Sequence, residues 1–364
     1  MAGGGIATEG GQPAVGGDGP TFATGTGIPP GVQLISTTHN ARETRPKRLM
    51  TCERSRPERR YALPSLDVSG KVMTMAEAIR RFVPDGSVVA LGLSLEPLIP
   101  FAAGHEMIRQ QRRDVELVGP ISDALFDQLI GAGCVRRVTA AWIGNVSEGL
   151  GHCYRRACEH KIPRPLEVRD HSNFSISLAL WAAAWSVPSL PTRTLLGSDI
   201  LKTNPALVAA DGLVHVEAVR PDVAIVHVQR ADEMGRAHAW GPLGVTEEAG
   251  LAAGQVIISC EELVEASVTL SDPNRVLFPE TKVVAVVHEP GGAHPSPVQG
   301  FFKRDHAFYR DYAERSRTVD GYDEWLKRWV MQVPDRATYL KQIDVDSLRI
   351  TQHRMSEPVD YGDE

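Results

Sequence analysis

Cysteine is scarce in this chain, and no apolar run is long enough to cross a membrane. The 364 residues include five cysteines, an odd number with no regular spacing. This excludes a disulfide framework and indicates reduced thiols in a cytoplasmic protein. The most apolar run, 174–186, is too short for a bilayer and is followed by Pro188, so it predicts a buried helix. The N-terminus lacks the basic start and apolar core of a signal peptide, so we do not expect export.

An excess of positive charge is also missing. The formal net charge is −6 and the isoelectric point is near 6.1, whereas a nucleic-acid surface needs a basic stripe. Residues 41–60 hold eight basic and three acidic residues, but no interleaved aromatics, which favours a solvated tail over a nucleic-acid or membrane contact. Residues 1–30 contain ten glycines and four prolines. Such a composition buries little apolar surface, so we expect a disordered tail over 1–68, and a second, polar tail over 346–364.

Several motifs of well-known catalytic and metal sites are absent. Neither a P-loop nor a Gly-x-Ser-x-Gly elbow occurs, so the corresponding phosphoryl-transfer and hydrolase mechanisms lack support. Cys153 and Cys158 lie close to two histidines, but residues five apart on a helix point about 140° away from each other. Pro290 and two glycines prevent the histidines of 288–294 from sharing a helix. No metal site is predicted.

What the sequence does contain is an alternation of short apolar runs with helical patterns, beginning near Ser69. Continuous apolar strands are typical of a sheet covered on both faces, which predicts an α/β fold whose strands need not all be parallel. After Pro290 the chain becomes rich in aromatic residues on predicted helices, which indicates a C-terminal helical cover with a packed aromatic core. The predicted strands are 87–91, 115–119, 138–143, 223–228, 256–260 and 283–287, and the predicted helices include 75–82, 105–112 and 124–130.

The segment after the first predicted strand is the best candidate for a site. The turn Gly92, Leu93, Ser94 follows the strand and leads through two prolines towards a helix. A strand that ends at a glycine and feeds a helix leaves backbone N–H groups pointing at one spot, which suits a developing negative charge. Turn geometry alone would also explain Gly92. Glu96 is interpreted first as a carboxylate stabilised near the helix N-terminus, and a catalytic role is the less favoured alternative.

Two other loops place polar residues at predicted strand ends. Asn145 and Ser147 follow the strand 138–143, at the position where open α/β sheets bind ligands. Gln229 comes directly after the strand 223–228, close to Asp232. The turn after Asp232 is explained equally well by a hairpin and by a ligand contact.

As a whole, the sequence resembles the A (alpha) subunit of family I coenzyme A transferases, of the glutaconate CoA-transferase type. The likeness extends from about Lys71 to Tyr339, so it covers almost everything between the two tails. It is carried, in order, by the stretches 101–110, 129–137, 149–156, 171–174, 190–199, 221–232 and 290–295.

The resemblance implies a three-layer α/β domain over 69–345 with a mixed, mostly parallel sheet. It also implies a partner in a hetero-oligomer, the homologous beta subunit. In such enzymes a glutamate attacks an acyl-CoA thioester and then holds coenzyme A as a glutamyl thioester. That glutamate belongs to the beta subunit, so no nucleophile is expected in this chain. Acyl-CoA and a carboxylic acid would be the substrates, with no permanently bound cofactor.

The resemblance also gives the turn after the first strand a role. The family usually has a Gly-Gly-Phe-like turn there, whose N–H groups stabilise an oxyanion. Leu93 replaces the second glycine here, and Arg236 stands where the family commonly has asparagine, so the acyl group stays open. The candidate substrate-binding residues are Ser94, Glu96, Asn145, Ser147, Ser172, Asn173 and Gln229.

Two alternatives stay open. Related proteins of this fold hydrolyse or open the rings of CoA thioesters, and that branch carries an acidic residue where this chain has Asn173. An amide cannot act as a general base towards water, which favours transfer over hydrolysis. The other alternative is a non-catalytic subunit that binds CoA esters.

Overall fold

The computed structural model describes residues 70–350. The strands are β1 Val88–Ala90, β2 Val115–Ile121, β3 Val135–Trp142, β4 Gly144–Asn145, β5 Gly149–Leu150, β6 Glu167–Asp170, β7 Ser189–Thr192, β8 Leu207–Ala210, β9 Leu213–Glu217, β10 Val223–Ala231, β11 Ala237–His238, β12 Gln255–Leu263 and β13 Val283–His288. Eight of them form one sheet in the order β13-β12-β10-β1-β2-β3-β6, with β11 paired to β10. Every pair along this order is parallel and β11 is antiparallel, which confirms the predicted mostly parallel sheet.

The helices cover this sheet and continue after its last strand. They are α1 Met75–Phe82, α2 Phe101–Arg109, α3 Ala124–Gly131, α4 His152–His160, α5 Asn173–Ala184, α6 Ile200–Thr203, α7 Thr246–Ala252, α8 Ala266–Leu270, α9 His306–Arg315, α10 Val319–Leu326, α11 Arg336–Leu340 and α12 Val345–Leu348. Short 3-10 turns lie at Pro273–Arg275 and Glu280–Lys282, and a π-helical turn at Lys327–Met331 extends α10. None of the helices between residues 70 and 350 is long and apolar enough to span a membrane.

The sheet has a core on each face because neighbouring strand residues point to opposite sides. In β1, Val89 belongs to the first core and Ala90 to the second; in β10, Ile225 and Val226 divide in the same way. The first core contains side chains of helices α1, α2, α3, α9 and α10. The second core contains side chains of helices α5 and α7 and of strand β9. The result is the predicted three-layer α/β arrangement.

The C-terminal helices form the predicted aromatic cover. Phe308, Tyr309, Tyr312 and Trp325 are all buried in the first core. Their rings meet mainly edge to face, as in the pair Tyr312 and Trp325, whose centroids are 4.8 Å apart. These aromatics therefore fill the space between the cover and the helices beneath it.

The last described residues are hydrogen-bonded to the loop before α9. The Leu348 carbonyl accepts a hydrogen bond of 2.9 Å from the Lys303 amide, and the Ile350 amide donates one of 3.0 Å to the Phe301 carbonyl. Residues 348–350 are thus held by the loop before α9, and the bounds 69–345 and 346–364 stay predictions. The predicted disordered tail, 1–68, and the rest of the predicted polar tail, 351–364, lie outside the described residues.

Candidate functional site

The sequence-predicted site residues lie along one edge of the sheet. Gly92, Leu93 and Ser94 follow β1, and Gln229 lies near the end of the neighbouring strand β10. Candidates in two further loops follow strands β3 and β6, on the other side of β2. Because these strands are parallel and about 4.8 Å apart, their carboxyl ends form a row with β1 at its centre.

The turn after β1 needs glycine at its first position. Gly92 has φ +66°, a region that glycine enters without strain. A Cβ placed there would lie 2.0 Å from Ser122 Oγ and 2.6 Å from Ser122 Cβ. Ser122 is fixed in turn, since its hydroxyl donates a 2.9 Å hydrogen bond to the Leu91 carbonyl. The ends of β1 and β2 therefore touch at this glycine.

The backbone N–H groups of Gly92, Leu93 and Ser94 in this turn have no acceptor among the described residues. The amides on either side of the turn are used, because Leu91 donates to Val118 O at 3.2 Å and Glu96 donates to Ser94 O at 3.1 Å. Buried amide N–H groups nearly always have a partner in a folded protein. A negatively charged oxygen bound at the turn would be a hydrogen-bond acceptor for these N–H groups.

The helix predicted beyond the two prolines is present as α2. It starts at Phe101 with Pro100 as its N-cap, four residues before the predicted range 105–112. The Ala102 amide is already bonded to the Gly292 carbonyl at 2.9 Å. The free donors thus belong to the turn itself. Glu96 is exposed and lies outside the first turn of α2, so the helix-dipole interpretation of this carboxylate is not supported.

The Ser94 hydroxyl has a partner within the chain. Its Oγ lies 2.9 Å from Thr246 Oγ1, which donates to the Leu243 carbonyl at 2.6 Å. The adjacent Val245 amide donates to the Leu93 carbonyl at 2.9 Å. The loop before α7 therefore clamps the turn from the β10 side, and Ser94 holds that loop.

We expect Ser94→Ala and Thr246→Val to have matching effects. Each removes one side of the same hydroxyl pair, so each should lower the free energy of unfolding by about 1 kcal/mol. Acyl preference, measured as the ratio of kcat/KM for two acyl-CoA substrates, should change equally in both variants. A change of preference in Ser94→Ala alone would show that its hydroxyl contacts the substrate directly.

The loops after β2 and β3 meet around a buried carboxylate that the sequence did not single out. Asp123 is fully buried in an unusual backbone conformation, φ +47° and ψ −144°. Its Oδ1 accepts the Val146 amide at 2.8 Å, and its Oδ2 forms an ion pair of 2.6 Å with Arg304 Nη2. Burial raises the pKa of the Asp123 carboxyl, while the nearby Arg304 charge acts in the opposite direction. Strained residues of this kind occur mainly where function requires them.

Both predicted residues of the β3 loop are attached to this arrangement. Asn145 is buried, donates to the Tyr309 carbonyl at 2.9 Å and accepts the Ser147 amide at 3.2 Å. Ser147 is exposed, and its Oγ accepts a 3.0 Å hydrogen bond from Arg304 Nε. Asn145 therefore supports the loop, whereas Ser147 lies at its surface beside Arg304, whose side chain is only 9% exposed.

The loop after β6 presents one exposed side chain and one buried histidine. Ser172 caps α5 through the Ser175 amide at 3.0 Å, and Asn173 is exposed at the first position of that helix. His171 is buried, with Nδ1 3.0 Å from Ser175 Oγ and with Nε2 unpartnered within residues 70–350. Burial, helped by the charge of Arg169, lowers the pKa of His171 to about 4.

His171 should make the domain sensitive to acid. Folding lowers the pKa of this histidine from 6.5 to about 4. Its contribution to the free energy of unfolding is therefore fully present above pH 6.5 and is lost as the pH falls towards 4. Between pH 7 and pH 5 this histidine should account for a loss of about 2 kcal/mol in the free energy of unfolding. His171→Gln should reduce the total loss by that amount in urea unfolding at the two pH values. The exposed His160→Gln serves as control, and equal pH dependence in both variants would contradict this role.

Gln229 is buried, and its amide is engaged by backbone groups. Nε2 donates to the Trp240 carbonyl at 2.9 Å, and Oε1 accepts the Trp240 amide at 3.2 Å. The nearby Asp232 turn is a hairpin between β10 and β11, in which Asp232 Oδ1 accepts the Met234 and Arg236 amides. Arg236 pairs with Asp232 at 3.2 Å and with Glu280 at 2.6 Å. This departure from the family pattern therefore takes part in an ion-pair network at the hairpin.

Sequence reasoning missed four residues of this edge: Ser122, Asp123, Thr246 and Arg304. The polar pair Ser122 and Asp123 directly follows a buried strand, the same signal that identified the loops after β1 and β3. For Thr246 and Arg304 the local sequence gives no comparable signal, because their partners are far away along the chain.

The comparisons with known proteins show the family of this chain. The coenzyme A transferase family model matches residues 72–289. The A subunit of the 3-oxoadipate CoA-transferase of Pseudomonas knackmussii is 38% identical over 280 residues, which cover 75% of this chain and 98% of that protein. The A subunit of the glutaconate CoA-transferase of Acidaminococcus fermentans is 30% identical over 301 residues, 76% of this chain and 93% of that protein.

The fold agrees with the sequence comparison. The crystal structure of glutaconate coenzyme A-transferase from Acidaminococcus fermentans matches with a TM-score of 0.73 and 28% identity, over 77% of this chain and 96% of that chain. The chain belongs to the coenzyme A transferase family and is similar to the A subunits of its members.

Proposed function

We propose that this chain is the alpha subunit of a heteromeric, cytoplasmic CoA-transferase that moves coenzyme A between carboxylic acids. A glutamate of the beta subunit, its partner, attacks the acyl-CoA thioester and then carries coenzyme A as a glutamyl thioester. This chain contributes the oxyanion-binding turn after β1 and part of the acyl pocket. The substrates are an acyl-CoA thioester and a free carboxylic acid, with no permanently bound cofactor.

The free donors of the turn at Gly92, Leu93 and Ser94 are the observation that carries this proposal. When a nucleophile attacks a thioester, the carbonyl oxygen gains negative charge. Backbone N–H groups fixed in advance stabilise that charge without reorganising during the reaction. The contact with Ser122 and the clamp from the loop before α7 fix this turn from both sides.

Transfer is favoured over hydrolysis by the side chain at the start of α5. Asn173 is exposed there, so it is available to a ligand, but its amide cannot take a proton from water. Without a base to activate water, a glutamyl-CoA thioester persists until a second carboxylate attacks it.

The test is a CoA-transfer assay on the complex purified from the protein's own cells under native conditions. We expect a similar-sized partner in a one-to-one ratio, and exchange of coenzyme A between an acyl-CoA and a free acid faster than release of free coenzyme A. Glu96→Gln should retain most activity, because the attacking carboxylate belongs to the partner. Its complete loss in a folded variant would place the nucleophile in this chain, and rapid release of coenzyme A without an acceptor acid would favour the hydrolase alternative.

A further inference from the structure

A groove at the amino-terminal edge of the sheet, here named the arginine groove, is lined by three arginines. It has a volume of about 440 Å³, and its basic residues are Arg112, Arg113 and Arg164. None of the described residues that line it carries a carboxylate. The chain as a whole has a net charge of −6, so this concentration of positive charge is local. A cleft lined by charges of one sign attracts ligands of the opposite sign.

The arginine groove lies at the opposite edge of the sheet from the oxyanion turn. Arg112 and Arg113 precede β2, and Arg164 precedes β6, whereas Gly92 follows β1. The strands between them are parallel, so the two places are separated by the length of a strand, roughly 20 Å. A small molecule in the groove therefore does not reach the turn.

The three guanidinium groups differ in how firmly they are held. Arg112 is fixed, since its Nη2 donates to Gln110 Oε1 at 2.7 Å. Arg164 uses Nη2 to pair with Asp114 Oδ1 at 2.7 Å. The Arg113 side chain is exposed and forms neither an ion pair nor a hydrogen bond with any residue of 70–350. The groove thus combines two positioned guanidinium groups with one that is free to close on a ligand.

The rest of the arginine groove is mostly apolar. Ile108 of α2 and Leu326 of α10 line it and belong to the first core or pack against it. Met331 also lines it and is 44% exposed. Binding sites for small molecules typically combine such apolar walls with a few polar groups that orient the ligand. The groove therefore suits a ligand with one anionic end and one apolar end.

A phosphate monoester matches the charge of this groove better than a carboxylate does. It carries about −1.5 to −2 charges at pH 7 and three terminal oxygens that accept hydrogen bonds. Three guanidinium groups can bind it at once, each through charged hydrogen bonds. A carboxylate has a single charge and two oxygens, which one or two arginines satisfy.

We propose that the arginine groove binds a small phosphate monoester that carries an apolar group. Arg112, Arg113 and Arg164 contact the phosphate, and Met331 contacts the apolar group. This goes beyond the proposed transferase function, because nothing in that reaction requires a ligand at this edge of the sheet.

The test measures binding of phenyl phosphate to the native complex by ligand-observed NMR, with inorganic phosphate, benzoate and phenol as comparison ligands. Phenyl phosphate should bind about 10-fold more tightly than each of these, because none of them offers both a phosphate and an apolar group. Arg113→Gln should weaken its binding about 10-fold, and adding Arg164→Gln should weaken it about 10-fold more, the value of one charged hydrogen bond each. Met331→Ser should weaken binding of phenyl phosphate but not of inorganic phosphate.

The control is Arg317→Gln, at an arginine that is 65% exposed, and it should leave binding unchanged. Because Arg113 and Met331 are exposed, their replacement keeps the core intact, and unfolding does not explain a loss of binding. No binding of phenyl phosphate to the wild type would overturn the inference. Binding that coenzyme A displaces and that Arg113→Gln does not weaken would place the ligand in the substrate site, with the same consequence. Equal affinity for benzoate would overturn the choice of a phosphate, and equal affinity for inorganic phosphate would overturn the role of the apolar group.

Discussion

Gly92→Ala should lower kcat of the native complex about 100-fold or more while the complex stays assembled. The new Cβ would lie 2.0 Å from Ser122 Oγ, and the alanine would have to adopt φ +66°. Because Ser122 is bonded to the Leu91 carbonyl, the turn and not the serine has to move. The free N–H groups of the turn would then leave their positions, and the loss of one oxyanion donor typically costs about 100- to 1000-fold in kcat.

Two variants separate the steric effect from backbone strain. Gly86→Ala places a side chain at φ +78° with nothing within 4 Å, so it should cost stability but not kcat. Adding Ser122→Gly to Gly92→Ala removes the two shortest contacts, with Ser122 Oγ and Cβ, and leaves the backbone Cα of residue 122 at 2.8 Å, so it should restore part of the activity. Wild-type kcat in a folded Gly92→Ala complex would show that the turn does not bind the oxyanion.

Asp127→Ala should lower the free energy of unfolding by about 3–5 kcal/mol, which follows from the loss of two buried acceptors. Asp127 is fully buried on α3, where its Oδ2 accepts the Tyr312 hydroxyl and its Oδ1 the Tyr154 amide, both at 2.6 Å. These bonds join α3 to α4 and to α9. Alanine would leave the hydroxyl and the amide N–H buried without partners.

Urea unfolding measures this effect, with Asp311→Ala as control. Asp311 lies on α9 with its side chain 45% exposed, so its replacement should change stability by less than about 0.5 kcal/mol. Asp127→Asn should cost less than alanine, because the amide still offers an oxygen to the Tyr154 N–H. Equal stability of the Asp127 and Asp311 alanine variants would mean that the cover is held by aromatic packing alone.

The central sheet could be predicted from sequence because its strands are buried on both faces. The runs 115–119 and 223–228 are apolar except for Glu116 and His227, a composition typical of strands covered on both faces. The small sheet β7-β9-β8 was not predicted. Its strands are four or five residues long and half-exposed, so they carry neither a continuous apolar run nor a long alternation.

Residues of the candidate site could be predicted from sequence only where they directly follow a strand. Gly92 and Ser94 directly follow β1, so the rule that ligands bind at strand ends identified them. Arg304 reaches the same edge from a loop far along the chain, and its partner Asp123 is 181 residues away. Contacts at such separation arise from the packing of the helical cover, which no local pattern encodes.

In the proposed function this chain holds the oxyanion while its partner supplies the attacking carboxylate. Intact mass spectrometry of the native complex, after brief incubation with acyl-CoA and quenching, tests this division of roles. We predict an added mass of coenzyme A on the partner and none on this chain, with the adduct much reduced in Gly92→Ala. An adduct on this chain, or an unchanged adduct in Gly92→Ala, would contradict this division of roles between the two subunits.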